Sequence, residues 1–190
     1  MPSTADFKKH LRLLIDGDPY AIVEHTLQSP SARGSATLVR TRLRHLLTGQ
    51  LIEKTFKAGE SFDSPDLSYR PAQFLYSDGD ALHFMDEQSY EQFSLAAEGL
   101  PDVVPWLVEG LTVRAVHFRG AVATVELPST MEVEITETEP AVRGNTVSGK
   151  VTKRAIVANG AEIQVPLYLE AAERIEVDPR EGRFIRRSSN

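Results

Sequence analysis

The chain has 190 residues, 21 Lys and Arg against 27 Asp and Glu, a formal net charge of −6, and 41% hydrophobic with 25% charged residues, the balance of a globular protein. It contains no cysteine, which excludes disulfides, thiolate nucleophiles and cysteine-based metal sites. No apolar run approaches the ~20 residues that span a bilayer, and the opening MPSTADFKKH lacks the apolar core of a secretory signal, so a cytoplasmic protein with no membrane partner is expected.

In chain order, turn signals fall at Asp16-Gly17, Thr48-Gly49, Asp78-Gly79, Arg119-Gly120, Asn159-Gly160 and Glu181-Gly182. Most of them separate stretches rich in β-branched or aromatic residues, and such dipeptides tolerate the positive φ that tight hairpins require. In ATVELP and MEVEITETE, Val125, Val133 and Ile135 are spaced by polar or charged residues, the period of a half-buried strand. Helix is confined to LPDVVPWLVEG, where Pro101-Asp102 opens a short turn, Trp106 lies on or beside it and Gly110 closes it. A further turn is expected over residues 86–93. Pro and charge shifts near residues 63–68 and 127–130 divide the chain into three all-β units, 1–64, 65–127 and 128–190. Each reads as a small β-barrel, of a size (about 60 residues) at which a core alone is marginal.

Charge is unevenly shared: the three thirds carry +2, −7 and −1. Affinity for phosphate rises with neutralising cations, so contact with nucleic acid is expected only locally, from the first third and the C-terminal end. In LVRTRLRHLL, Arg40, Arg42 and Arg44 occupy every second position. Strand geometry puts them on one face and Val39, Thr41 and Leu43 on the other. That face is either a solvated edge or a grip on RNA phosphates, with planar forks about 7 Å apart. Just before it, residues 29–37 read SPSARGSAT, a single cation, Arg33, among the small neighbours Ser31, Ala32, Gly34, Ser35 and Ala36. Taken alone this is a turn; carried out on a long hairpin, it is a thin finger that a narrow cleft admits.

The layout as a whole resembles the bacterial elongation factor P family, and QSPSARGSATLVR is most similar to its elongation factor P-like branch. The segments TGQLIEKTFKAGE, FLYSDGDALHFMD and VEITETEPAVRG read like that family. So does KRAIVANGAEIQVPLYLEAAE, with Lys153, Ala155, Gly160, Ile163, Val165, Pro166 and Leu169 at the family's spacing and Ala172 where the family closes on Gly. The resemblance implies an SH3-like (KOW-type) barrel followed by two OB-fold barrels in an L-shaped arrangement. It implies a factor that binds the 70S ribosome, through its rRNA, between the P and E sites beside peptidyl-tRNA and restores peptide-bond formation at consecutive prolines. Arg33, with Ser31, Ala32 and Gly34, then falls at the tip that reaches the CCA end of the tRNA. In the family that tip is a Lys or Arg often enlarged by an enzyme; here a longer loop is expected to leave Arg33 unmodified. The resemblance also sets Gly144, Asn145 and Thr146 in the loop that approaches the E-site codon, and Phe184 and Arg187 of GRFIRR where the family touches tRNA. Arg40, Arg42 and Arg44 become RNA-phosphate contacts. A monomer without metal or cofactor is expected.

Other classes fit the sequence less well. His10, His25, His45, His83 and His117 show no metal-ligand spacing, and neither a nucleophile elbow nor a phosphate loop is present. His25 near Ser29 is a poor nucleophile pair, and Glu134, Glu137 and Glu139 lack the spacing of a calcium loop. A free single-stranded RNA-binding OB protein stacks bases on exposed aromatics along a basic groove; with 7% aromatics and an acidic middle third, this chain fits that reading less well.

Overall fold

The computed structural model describes residues 1–28, 36–140 and 152–188. Among the described residues the chain is all-β, with fourteen strands and only three single-turn 3-10 helices, Thr4–Asp6, Ala97–Gly99 and Val104–Trp106. The expected scarcity of helix holds, and residues 87–89 form the turn of a hairpin closed by Asp86, whose Oδ1 accepts from the backbone of Gln88 and Ser89. By compactness the chain groups into two units, Met1–Arg70 with Ala115–Thr124, and Pro71–Arg114 with Val125–Asn190.

The first sheet runs β1 (Arg12–Ile15), β2 (Asp18–Gln28), β3 (Leu38–His45) and β4 (Leu51–Lys57) in sequence order, every neighbour antiparallel. Asp16 and Gly17 both take positive φ, 55° and 89°, as a two-residue hairpin turn between right-twisted strands demands. One side of the sheet is dry: Phe7, Leu13, Ile15, Ile22, Val39, Leu43, Phe56 and Phe62 are buried together. The rings of Phe7, Phe56 and Phe62 meet at centroid distances of 4.8 to 6.0 Å, the range of favourable edge and tilted contacts. In the same unit Leu46 packs against Phe118 and Ala123.

A second sheet orders β7 (Gln92–Ala96), β6 (Ala81–Asp86), β5 (Leu67–Ser77), β8 (Thr112–Phe118) and β9 (Ala121–Glu126). The last five strands, β10 (Met131–Thr138), β11 (Thr152–Val157), β12 (Glu162–Pro166), β13 (Arg174–Asp178) and β14 (Arg183–Arg187), close into a barrel in the order β10-β11-β12-β14-β13. Closure leaves no edge strand exposed to pair with another chain. Its core is built by the alternation seen in the sequence: Val133, Ile135, Ala155, Val157, Ile163, Val165, Ile175 and Val177 all point inward. Trp106 belongs to this same core, 5% exposed, with Leu107 and Leu111 packed beside it.

Ala172 keeps the geometry that a glycine would supply. Its φ is +67° and its N–H donates to the Ile135 carbonyl at 2.8 Å, so the turn into β13 survives without glycine. The left-handed conformation costs an L-residue roughly 1–2 kcal/mol, against the ~0.5–1 kcal/mol of extra chain entropy that glycine loses on folding. Ala172→Gly is therefore expected to stabilise the fold by about 0.5–1 kcal/mol, read as a rise in the urea midpoint at unchanged m-value. A lowered midpoint would show that the methyl group makes a contact worth more than the strain.

Candidate nucleic-acid interface

Strand β3 has two chemically opposite faces. Val39, Thr41 and Leu43 are 1%, 0% and 0% exposed, whereas Arg40 and Arg42 lie in solvent and Arg44 is half-buried. The core side fixes the register, because sliding β3 by one residue would drive guanidinium groups into the apolar side. The arginine row is thus held in place by packing on the reverse of the strand.

Neighbouring strands complete the face. From β4, the residues opposite Arg40, Arg42 and Arg44 are Thr55, Glu53 and Leu51, with Lys57 opposite Leu38. From β2 the partners are Thr26, Glu24 and Ala21. The pairing of Glu24 with Arg42 depends on a register shift between Ile22 and Glu24. Without that bulge, Glu24 would share the core face with Ile22; the extra residue turns it to the arginine side. Arg40 donates from Nη2 to Glu53 Oε2 at 2.6 Å, and Arg44 Nη1 donates to the Gly49 carbonyl at 3.2 Å, bracing the turn before β4. The Arg40 hydrogen bond and charge hold the Glu53 carboxyl below its usual range, with a further contribution from Arg42, and raise the Arg40 guanidinium in turn.

His45 Nδ1 accepts from the backbone of Leu47 and Thr48 at 3.2 Å, closing that same turn. His83 Nε2 sits 2.8 Å from Asp78 Oδ2 and stacks on Tyr76 with centroids 4.4 Å apart. His25 meets the edge of Phe7 at 6.4 Å. These three rings are engaged in turns and packing.

The C-terminal barrel presents its cations differently. Arg186 pairs with Glu176, Arg174 with Glu132 and Arg154 with Glu162, while Arg180 grips the buried Asp178 through Nε and Nη2 at 3.0 and 2.8 Å. The many cations of this barrel are thus extensively neutralised by its own carboxylates. Arg187 stands with Nε 2.7 Å from Glu173 Oε2 and its guanidinium 5.5 Å from the ring centre of Tyr168, which is 62% exposed. Phe184 is half-buried against the barrel core. Arg33, Ser31, Ala32, Gly34, Gly144, Asn145 and Thr146 lie outside the described residues. The sequence reading missed Glu24, Glu53 and Tyr168. The i, i+2 spacing of Leu51, Glu53 and Thr55 is a signal that puts Glu53 on one face of a strand, but the strand pairing that sets it beside Arg40 is visible only in the fold.

Three family models match in succession: the elongation factor P KOW-like domain over residues 3–62, the elongation factor P OB domain over 67–125, and the elongation factor P C-terminal domain over 131–187. The chain belongs to the elongation factor P family. Elongation factor P 1 of Geobacter sulfurreducens is 42% identical over 99% of this chain and 100% of its own length. Elongation factor P of Moorella thermoacetica is 40% identical with the same coverage. Among solved structures, eukaryotic translation initiation factor 5A from Methanococcus jannaschii aligns with 65% of this chain and 92% of its own at 23% identity, with a TM-score of 0.42. Membership of the elongation factor P family makes the functional class that of a translation elongation factor.

The two faces of β3 make separable demands. Replacing Arg40 and Arg42 singly by Gln is expected to change unfolding free energy by no more than about 0.5 kcal/mol each, as for ordinary surface sites, and Arg44→Gln, which removes the bond to the Gly49 carbonyl, by about 0.5–1.5 kcal/mol. Leu43→Ala, by contrast, is expected to cost about 2–5 kcal/mol through cavity formation. Urea denaturation of the four variants checks this; a comparable loss from Arg40→Gln would mean that the arginine row is part of the folding core.

Proposed function

We propose that this elongation factor P family member binds the ribosome between the P and E sites, beside peptidyl-tRNA, and promotes peptide-bond formation at consecutive prolines. The observation that carries the proposal is the arginine row of β3, presented outward on a strand whose reverse is locked in a hydrophobic core. Guanidinium forks spaced along a strand suit the phosphates of folded RNA. In this reading the first of three domains (residues 1–64) supplies the main RNA grip, and domains 65–127 and 128–190 are OB-fold bodies. The acidic middle third weighs against a protein that simply coats single strands.

Arg33 stands in the sequence between β2 and β3 and is the residue we assign to the CCA end, with Ser31, Ala32 and Gly34 as its small neighbours. Gly144, Asn145 and Thr146 are assigned to the E-site codon, and Arg187 and the half-buried Phe184 to the tRNA. Proline is a poor acceptor because its ring fixes φ and its nitrogen is secondary, and successive prolines pull the nascent chain out of line. Holding the CCA end in attack geometry restores orientation, an effect worth several kcal/mol where alignment is good. Arg33 acts by hydrogen bonding and charge, with no covalent step, so the ribosome remains the catalyst and the factor acts in the cytoplasm as a monomer.

Arg33→Ala is expected to leave thermal stability unchanged and to abolish rescue of a Pro-Pro-Pro reporter in cells lacking this factor and any paralogue. Arg33→Lys keeps the charge and loses the planar fork, so partial rescue would mark a mainly electrostatic role. Joint replacement of Arg40, Arg42 and Arg44 by Gln is expected to weaken 70S binding and to flatten its dependence on salt, since each phosphate contact contributes to that slope. Full rescue by Arg33→Ala, together with unchanged ribosome affinity of the triple variant, would overturn the proposal.

A further inference from the structure

The arginine row carries its own competitor. Glu53 occupies the Arg40 fork at 2.6 Å, and both side chains are more than half exposed, 58% and 57%, so an incoming phosphate has access to the pair. The register sets Glu53 from β4 and Glu24 from β2 directly opposite Arg42 on its two sides. The face therefore offers Arg40, Arg42, Arg44 and Lys57 against Glu24 and Glu53, half the net charge that its cations alone would give. The bulge in β2 that keeps Glu24 off the core face also adds to this restraint by setting its carboxylate beside Arg42.

We propose that Glu53 is a specificity-determining residue: by holding the Arg40 fork, it keeps the face from closing on isolated RNA phosphates and reserves it for an RNA surface that engages the whole row. An RNA phosphodiester and the Glu53 carboxylate compete for the same planar donors. A single strand presents few phosphates in register with the row and gains little from displacing the carboxylate. A folded RNA surface that meets Arg40, Arg42 and Arg44 together compensates for the displacement across several contacts. Glu24 acts in the same sense on Arg42. This inference rests on the ribosome-binding reading only for the identity of the folded RNA; the competition itself is a property of the face.

The test measures binding of a bare oligouridylate and of vacant 70S ribosomes across a salt series, for the wild type, Glu53→Gln, Glu24→Gln and Arg40→Gln. Glu109→Gln, an exposed carboxylate that is not part of the first sheet, controls for net charge. Glu53→Gln is expected to tighten oligouridylate binding about two- to fivefold, the scale of an exposed ion pair. Its salt slope should steepen by about 0.7, the contribution of one further phosphate on a single strand. The gain on 70S ribosomes should be smaller, so discrimination between the two falls. Oligouridylate binding that is unchanged or weakened by Glu53→Gln, or tightened equally by Glu109→Gln, would overturn the inference. The ribosome arm judges the parent reading separately: if Arg40→Gln leaves 70S affinity untouched, ribosome docking through this face is wrong, whatever Glu53 does to the oligouridylate.

Discussion

A β-strand sends successive side chains to opposite sides, and in β3 that period of two joins folding to the proposed RNA grip. Val39, Thr41 and Leu43 must enter the core for the sheet to form, and the same pleat then obliges Arg40, Arg42 and Arg44 to leave it. No loop or cap is needed to aim the arginines. The positions of three long, flexible side chains are set at their roots by the packing of Phe7, Phe56, Phe62 and Leu43 behind them. Long cations pre-positioned in this way lose less conformational freedom on meeting a partner than the same residues on a mobile loop.

The same economy explains how one chain with net charge −6 has a basic face on β3. The C-terminal barrel pairs many of its arginines with carboxylates on adjacent strands, and Asp178 is gripped by Nε and Nη2 of Arg180. Apart from the pair with the buried Asp178, these pairs are exposed enough to contribute little to stability; their consequence is that the barrel's cations are largely neutralised within the barrel itself. On β3 the compensation is only partial, which leaves cations in excess where the strand packing has arranged them in a row.

Much of this was legible in the sequence, and the reasons are physical. Hairpin turns showed at Asp16-Gly17 and Arg119-Gly120 because four residues there adopt positive φ, a demand that few dipeptides meet. The two faces of β3 showed because alternation is a local property. What stayed hidden depends on pairing between distant segments. Glu24 reaches the arginine side only through a bulge, and Glu53 meets Arg40 only through the β3–β4 register. Trp106 was placed on its short turn correctly, yet its burial among Ile135, Val165 and Leu169 of the last barrel has no signature in LPDVVPWLVEG. Ala172 shows the reverse case: a residue that argues against a left-handed turn adopts one, because the barrel around it over-determines the backbone.

The central claim is that the solvent side of β3 faces ribosomal RNA while its reverse remains a closed core. A cryo-electron microscopy reconstruction of the protein on ribosomes stalled at consecutive proline codons tests it most directly. The account predicts density for the first sheet between the P and E sites, with the Arg40, Arg42 and Arg44 side chains at hydrogen-bonding distance from RNA phosphates and the Phe7–Phe56–Phe62 core unchanged. A factor bound with the arginine row open to solvent, or seated through the paired surface of the C-terminal barrel alone, would contradict it.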